Sequence, residues 1–360
     1  MLFCIGDDVL KSLENEENLE KTEEVMEKLC SLVRSNDNVL SVESNRILSV
    51  AKKITESPKI GSFTKRIINY CYKTFTIHYG LYSKLVNKIM INVEKSVQPE
   101  DLISLSLDEI IKLDLYISSR ITLLSEDLSD CKFYQHLGIE YCKIKKIYEG
   151  YNINFKRIAG AGPNIGRQLK ESVTHNREIV LAICDSDKRH PEEMSSDKTA
   201  NYLDTAKNEL FDSDYNYFFT YVLEVSEKEN LILPSEYDKF VERRMKSTVD
   251  RFIELENNEE ISHYLRFIDF KVGITKATYL ANVKYYEDLF SAAPNFRKVS
   301  DLSKIKDNES VSYYLEKKCI TNIKYDALDF NQVNYVSDIR DKVCAFVIAW
   351  GIASPRFNLI

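Results

Sequence analysis

The sequence predicts an α/β protein with a parallel sheet in the middle of the chain and a mostly α-helical region on either side. Short apolar runs separated by helical patterns predict the sheet, and helical periodicity before and after it predicts the flanking regions. We expect three regions: a helical N-terminal region at 1–118, an α/β domain at 119–240 and a helical C-terminal region at 241–360. A chain of 360 residues is long enough for two or three compact units.

The first 118 residues show the spacing of amphipathic helices. Apolar residues recur with helical spacing around 19–33, 40–55, 62–78 and 80–95. Ser106 is followed three positions later by Glu109, which is the pattern of a capping box at the start of a helix. No catalytic constellation occurs in this region, so we expect a helical platform or a partner-binding unit.

Four apolar runs predict the strands of the central sheet: 121–125, 153–158, 178–184 and 217–225. Helical patterns lie between them at 130–137, 167–173 and 198–210. The run 178–184 is almost continuously apolar, as expected for a strand that is buried on both faces of a parallel sheet. Strands that alternate with helices in this way favour parallel pairing.

Composition limits the class of protein. Hydrophobic residues make up 44% of the chain, and no apolar stretch is long enough to span a membrane. The eight cysteines are scattered without a Cys-x-x-Cys pair, which argues against a zinc site or a disulfide framework and favours the cytoplasm. The net charge of −7 argues against broad nonspecific coating of nucleic acid, but it permits an enzyme with an acidic metal-binding cleft.

Acidic residues follow three of the four predicted strands. Glu126 follows the first strand, Asp185 and Asp187 follow the third, and Glu227 and Glu229 follow the fourth. The carboxyl ends of parallel strands share one edge of a sheet, so these side chains are expected to meet. Clustered carboxylates raise one another's pKa unless a cation is present, and Mg²⁺ prefers such oxygen ligands. The alternatives are a solvated Asp-x-Asp turn and a charged first turn of a helix.

The same segments resemble a known family. Leu-Leu-Ser-Glu126-Asp-Leu-Ser-Asp130 is similar to the first TOPRIM motif, and Ile-Cys-Asp185-Ser-Asp187 is similar to the TOPRIM Asp-x-Asp motif. Glu227-Lys-Glu229-Asn-Leu resembles the corresponding stretch of nucleases related to the OLD family and their defence-associated relatives. The resemblance covers about a third of the chain, roughly residues 119–240.

The resemblance implies a TOPRIM-like nuclease that cleaves DNA or RNA with Mg²⁺ or Mn²⁺ and acts as an effector of bacterial anti-phage defence. Glu126 would be a metal ligand or general base, Asp185 and Asp187 would be catalytic metal ligands, and Glu227 or Glu229 would support a second metal. The usual Glu-Gly of the first motif is Glu126-Asp here. No Walker A motif occurs, so a separate ATPase or sensor subunit would be the partner. Assembly into a homo-oligomer is also compatible with the sequence.

Phosphate and substrate contacts are predicted beside the acids. Backbone N–H groups of the turn 160–166 and the cations after Asp187 suit phosphate oxygens. The residues assigned to this role are Asp130, Gly162, Asn164, Arg167, Lys188 and Arg189. For the cations after Asp187, a solvated loop is the alternative.

The turn 160–166 also allows a different class of function. Gly160, Gly162 and Gly166 approach the dinucleotide-binding fingerprint, and Asp185 stands 19 positions after the last glycine. The last glycine falls one residue late, and Pro163 lies inside the phosphate turn. The alternatives to a nuclease are therefore a module that binds a nucleotide signal or dinucleotide, and a non-catalytic scaffold subunit.

Overall fold

A computed structural model describes residues 1–15, 17–34, 37–94, 103–113, 120–194, 199–211, 217–317, 320 and 324–354. Packing divides the chain into two compact units. The first unit contains Met1–Ala182, Thr205–Thr220 and Val343–Ile360, and the second contains Ile183–Asp204 and Tyr221–Lys342. This division differs from the three regions 1–118, 119–240 and 241–360 drawn from the sequence.

The first unit begins with a parallel four-stranded sheet and its helices. The strands are β1 (Leu2–Ile5), β2 (Val39–Val42), β3 (Ile89–Asn92) and β4 (Ile103–Ser106), in the order β2-β1-β3-β4. The helices are α1 (Asp7–Glu14), α2 (Leu19–Arg34), α3 (Ile47–Glu56), α4 (Ser62–Tyr82) and α5 (Leu107–Lys112).

These strands correct the prediction of helices alone over 1–118. Each strand has only four residues, and nearly all of those residues are buried. An apolar run of four residues is too short to show a hydrophobic period. For this reason β2 and β3 overlap the helices that were predicted at 40–55 and 80–95. The capping box is confirmed, because the Ser106 side chain accepts the Glu109 N–H and the Glu109 carboxylate accepts the Ser106 N–H. Residues 114–118 lie outside the described residues.

The predicted central sheet is confirmed as a parallel α/β sheet. Its strands are β5 (Thr122–Ser125), β7 (Lys156–Ala159), β8 (Val180–Cys184) and β9 (Phe218–Val222), in the order β7-β5-β8-β9. β5 pairs in parallel with both β7 and β8. The Val180 N–H donates to the Tyr217 carbonyl and the Leu223 N–H donates to the Cys184 carbonyl, so β9 runs in the same direction. The chain enters the second unit near the carboxyl ends of β8 and β9.

Three helices accompany this sheet where helical patterns were found. They are α6 (Leu128–Lys145), α7 (Ile165–Lys170), which continues as a π-helical turn at Glu171–His175, and α8 (Thr199–Phe211). Residue 198, the predicted start of the last of them, lies outside the described residues. The predicted strand 153–158 is divided into β6 (Asn152–Ile153) and β7.

The second unit is built from short helices joined by irregular segments. The helices are α9 (Pro234–Tyr237), α10 (Lys246–Glu256), α11 (Lys276–Ala281) and α12 (Val283–Ala292). Phe252 lies at the centre of its core, with ring centroids 5.2 Å from Phe270 and 5.0 Å from Phe296. Aromatic packing of this kind stabilises a unit that contains little regular structure.

The last helix, α13 (Ser337–Gly351), leads into β10 (Ile352–Ala353), which pairs antiparallel with β6. Trp350 is fully buried, as expected for a packing anchor. Within the described part of the chain, no helix is long and apolar enough to cross a membrane. The seven described cysteines are free thiols, and Cys319 lies outside the described residues.

Candidate functional site

The loop after β8 presents two aspartates on either side of a buried serine. The Ser186 hydroxyl donates to the Val225 carbonyl at 2.6 Å. The N–H groups of Ser186 and Asp187 both donate to the Ser226 carbonyl, at 3.1 and 2.9 Å. Asp187 has a φ of 51°, a left-handed conformation that Asp adopts more readily than most residues. These bonds fix the loop, while the side chains of Asp185 and Asp187 stay partly exposed.

The loop after β9 lies directly against these aspartates. The Lys228 N–H donates to Asp185 Oδ1 at 3.0 Å. The Glu227 N–H donates to Asn230 Oδ1 at 2.9 Å, and the fully buried Asn230 amide donates to two carbonyl oxygens within 265–268, at 2.7 and 2.8 Å. The acidic loops after β8 and β9 are therefore together, and Asn230 ties them to a third segment.

That third segment adds an acid which the sequence motifs did not include. Asp187, Glu227 and Asp269 all line one cavity of about 200 Å³, together with Arg189 and Thr275. Asp269 lies in the predicted helical C-terminal region, outside any motif. The pattern of an Asp followed four residues later by Gly marks a turn, but it does not say where the turn packs.

The turn that carries Asp269 is held tightly. Asp269 Oδ1 accepts the N–H of Lys271 at 2.7 Å and of Val272 at 3.1 Å, and the Asp269 carbonyl accepts the Gly273 N–H. Gly273 has a φ of 78°, and a Cβ there would lie 2.5 Å from Ser310 Oγ. Only glycine fits this position without strain.

A lysine lies between two glutamates beside the cavity. Lys271 Nζ lies 2.7 Å from Glu227 Oε2 and 3.5 Å from Glu229 Oε2. Burial, followed by the charge of Asp269, raises the pKa of Glu227 to about 7, although Lys271 opposes this shift. Burial lowers the pKa of Lys271, but the carboxylates of Glu229 and Glu227 outweigh burial and the pKa is raised overall. The carboxylates of Glu229 and Glu227 therefore hold Lys271 in its charged form.

Glu126 belongs to the first unit, where it follows β5. Its carbonyl accepts the Ala161 N–H at 2.9 Å, which places Glu126 against the glycine turn. Asp185 and Asp187 belong to the second unit. A shared site of Glu126 with these aspartates stays a prediction.

The glycine turn packs closely and uses part of its backbone in hydrogen bonds within the protein. Gly160 allows close approach of Ile165, whose side chain would lie 2.6 Å from an added Cβ. The Gly160 N–H donates to the carbonyl of Ser125, the last residue of β5, and the Ala161 N–H donates to the Glu126 carbonyl, so both groups are committed within the protein. Gly162, Asn164 and Arg167 are exposed or partly exposed, and their predicted phosphate contacts stay a prediction.

The other predicted substrate-binding residues lie in different settings. Asp130 is buried, and its carboxylate accepts the Asp127 N–H in a capping box that starts α6. Arg189 lines the cavity, and its Nε donates to Glu193 at 2.8 Å. Lys188 is partly exposed beside it. Of these residues, Arg189 is the cation that reaches the acidic cavity.

Comparisons were made with protein family models, with curated proteins and with solved structures. None of the three found a match. The resemblance to TOPRIM nucleases therefore stays a prediction drawn from the motifs. Among the described residues, no group of three or more His, Cys, Asp or Glu side chains is arranged to hold a metal ion, so the Mg²⁺ or Mn²⁺ site also stays a prediction.

Proposed function

We propose that this protein is a metal-dependent nuclease of the TOPRIM type that hydrolyses phosphodiester bonds in DNA or RNA. The observation that carries the proposal is the cavity lined by Asp187, Glu227 and Asp269. Two of these acids come from loops that follow neighbouring strands of a parallel sheet, which is where ligands of α/β proteins bind.

The chemistry of the donors fits a hard divalent cation. Carboxylate oxygens are the ligands that Mg²⁺ and Mn²⁺ prefer. Burial, followed by the charge of Asp269, raises the pKa of Glu227, and a cation beside this carboxylate would favour its ionised form. Asp185 and Asp187 would hold the cation, and Glu227 would join them. When bound, such a cation lowers the pKa of a water molecule and neutralises charge that develops on phosphate.

The protein's own side chains have distinct tasks in this proposal. Ser186 fixes the backbone so that Asp185 and Asp187 keep their positions. Arg189, at the cavity wall, supplies positive charge for a phosphate oxygen of the substrate. Glu126 is assigned the role of proton acceptor on the strength of the TOPRIM resemblance alone.

The nuclease is tested by incubating the full chain with plasmid DNA and with total RNA in the presence of Mg²⁺ or Mn²⁺. We expect cleavage that EDTA stops and that Asp185→Asn and Glu126→Gln each reduce by about 100-fold or more. Asp307→Asn is the matched control, because Asp307 is exposed in the same unit and lies outside the cavity. Cleavage that persists at the wild-type rate in both variants would exclude this site.

A role in anti-phage defence follows from the resemblance and is tested in cells. Bacteria that express the wild-type chain with its own neighbouring proteins should resist phage, and Asp185→Asn should remove that resistance. A separate ATPase or sensor subunit is the expected partner, so it should co-purify with the chain during infection. If Mn²⁺ causes no thermal shift and no condition yields cleavage, the scaffold alternative is favoured instead.

A further inference from the structure

A buried carboxylate oxygen without a hydrogen bond lies beside the acidic cavity. The Glu229 side chain is only 9% exposed, and within the described chain its Oε2 has no hydrogen-bond partner. Lys271 Nζ lies 3.5 Å from this oxygen, and Lys228 Nζ lies 3.7 Å from Oε1. Both distances exceed the usual hydrogen-bond limit of about 3.2 Å. This buried oxygen therefore has an ammonium at ion-pair distance but no hydrogen bond, which leaves an acceptor position for a ligand.

Two ammonium groups, those of Lys271 and Lys228, lie near the carboxylates of Glu227 and Glu229. Lys271 contacts Glu227 Oε2 at 2.7 Å and reaches Glu229 only at the longer distance. Its side chain is 25% exposed, and the Asp269 turn fixes its backbone. Lys271 is therefore the ammonium in close contact with Glu227, where a divalent cation would supply two positive charges in place of one.

We propose that Lys271 is an internal cation that occupies the Glu227–Glu229 pair while the protein is free of metal, and that a divalent cation must displace it. The inference rests on the metal site of the proposed function. Its consequence is that the protein binds metal more weakly than its carboxylates alone would, since the pair between Lys271 and Glu227 has to break first. Lys271 thus sets the concentration of metal at which the site fills.

The first test measures Mn²⁺ binding by calorimetry in the absence of nucleic acid. Lys271→Met should bind Mn²⁺ about tenfold more tightly than the wild type, which corresponds to removal of one competing charge pair. Lys276→Met is the matched control, because Lys276 lies on the same stretch, is 21% exposed and pairs with Asp307 instead. Its affinity should match that of the wild type. Equal or weaker Mn²⁺ binding by Lys271→Met would overturn the proposal.

The second test uses the wild-type protein and therefore does not depend on a variant that folds. Acylation of lysines by an anhydride is followed by mass spectrometry with and without Mn²⁺. Labelling of Lys271 should rise several-fold when Mn²⁺ is added, while labelling of Lys276 stays constant. Unchanged or reduced labelling of Lys271 at a Mn²⁺ concentration that saturates the protein would contradict displacement.

These tests separate the inference from the nuclease. A protein that binds Mn²⁺ more tightly without Lys271, yet cleaves neither DNA nor RNA, refutes the nuclease and retains the displacement. A protein that cleaves nucleic acid, but whose Mn²⁺ affinity is indifferent to Lys271→Met, retains the nuclease and refutes the displacement.

Discussion

In the absence of metal, raising the pH is expected to destabilise the second unit through the carboxyl group of Glu227. Burial is the main reason why its pKa rises from 4.5 to about 7, and the neighbouring charge of Asp269 adds to the effect. Lys271 opposes the shift without reversing it. The folded protein therefore prefers to keep a proton on Glu227 that the unfolded chain gives up easily.

The sign and the size of the effect follow from this difference. Below pH 4.5 Glu227 is protonated in both states, so its contribution to stability does not change. Between 4.5 and about 7 only the unfolded chain ionises, so the folded state binds more protons and the free energy of unfolding falls as pH rises. Above about 7 the loss is complete. At about 1.4 kcal/mol per pH unit, the loss is about 3 kcal/mol.

The assay is urea unfolding in EDTA at several pH values between about 5 and 8, compared between the wild type and Glu227→Gln. Glutamine does not ionise, so this variant should lack the fall of about 3 kcal/mol and should exceed the wild type in stability near pH 8. Glu254→Gln is the control, because Glu254 is an exposed glutamate on α10 and lies outside the cavity. If Glu227→Gln and the wild type lose stability in parallel across this range, Glu227 is not the responsible group.

Three further changes test the packing of the two units by chemical or thermal unfolding. Arg340→Met should lower the free energy of unfolding by about 3–5 kcal/mol. Arg340 and Glu236 form an ion pair in which each side chain is only 2% exposed, so the substitution leaves a buried carboxylate without its partner. A loss below about 1 kcal/mol contradicts this expectation. Gly273→Ala should lower the free energy of unfolding by about 1–3 kcal/mol, and by more than Gly162→Ala does. Both glycines have a positive φ, but of the two only Gly273 has other atoms where the added Cβ would lie. Ser106→Ala should cost about 1 kcal/mol through loss of the capping box, and an unchanged melting temperature would argue against that cap.

The central sheet could be predicted because its signals are local. The apolar run 178–184 contains β8, and polar residues mark its end at Asp185. The capping box at Ser106 is likewise a short pattern that acts within one turn of helix. Such features depend on residues a few positions apart, so a single sequence is enough to show them.

The N-terminal sheet could not be predicted in the same way. β1 pairs with both β2 and β3. Leu2 of β1 lies opposite Val39 of β2, and Phe3 of β1 lies opposite Ile89 of β3. These partners are separated by long stretches of helical sequence, and each strand is too short to show alternation. Pairing between short strands that are far apart in the sequence produces no pattern within a few neighbouring residues. The surrounding helical pattern therefore led to a prediction of helices only.

In the candidate site, too, the local features could be predicted and the long-range contacts could not. The acids that follow β8 and β9 are visible in the sequence, because each stands directly after an apolar run. The segment that carries Asp269 and Lys271 is held at the site by hydrogen bonds from Asn230 to two carbonyls within 265–268 and from the Ser226 N–H to the Arg266 carbonyl. A buried asparagine that uses its amide on a remote backbone has no sequence signature.

This missing contribution changes the physical argument about the metal. From the sequence alone, Glu227 and Glu229 are predicted to support a metal ion, and a charged first turn of a helix is the alternative. In the folded protein a cation from a remote segment, Lys271, is already there. In the proposed metal site, the affinity for metal would therefore be a difference between two bound states, one with an ammonium and one with a divalent ion. A count of acidic residues cannot give that difference, because the side chain that sets it comes from a region in which no motif occurs.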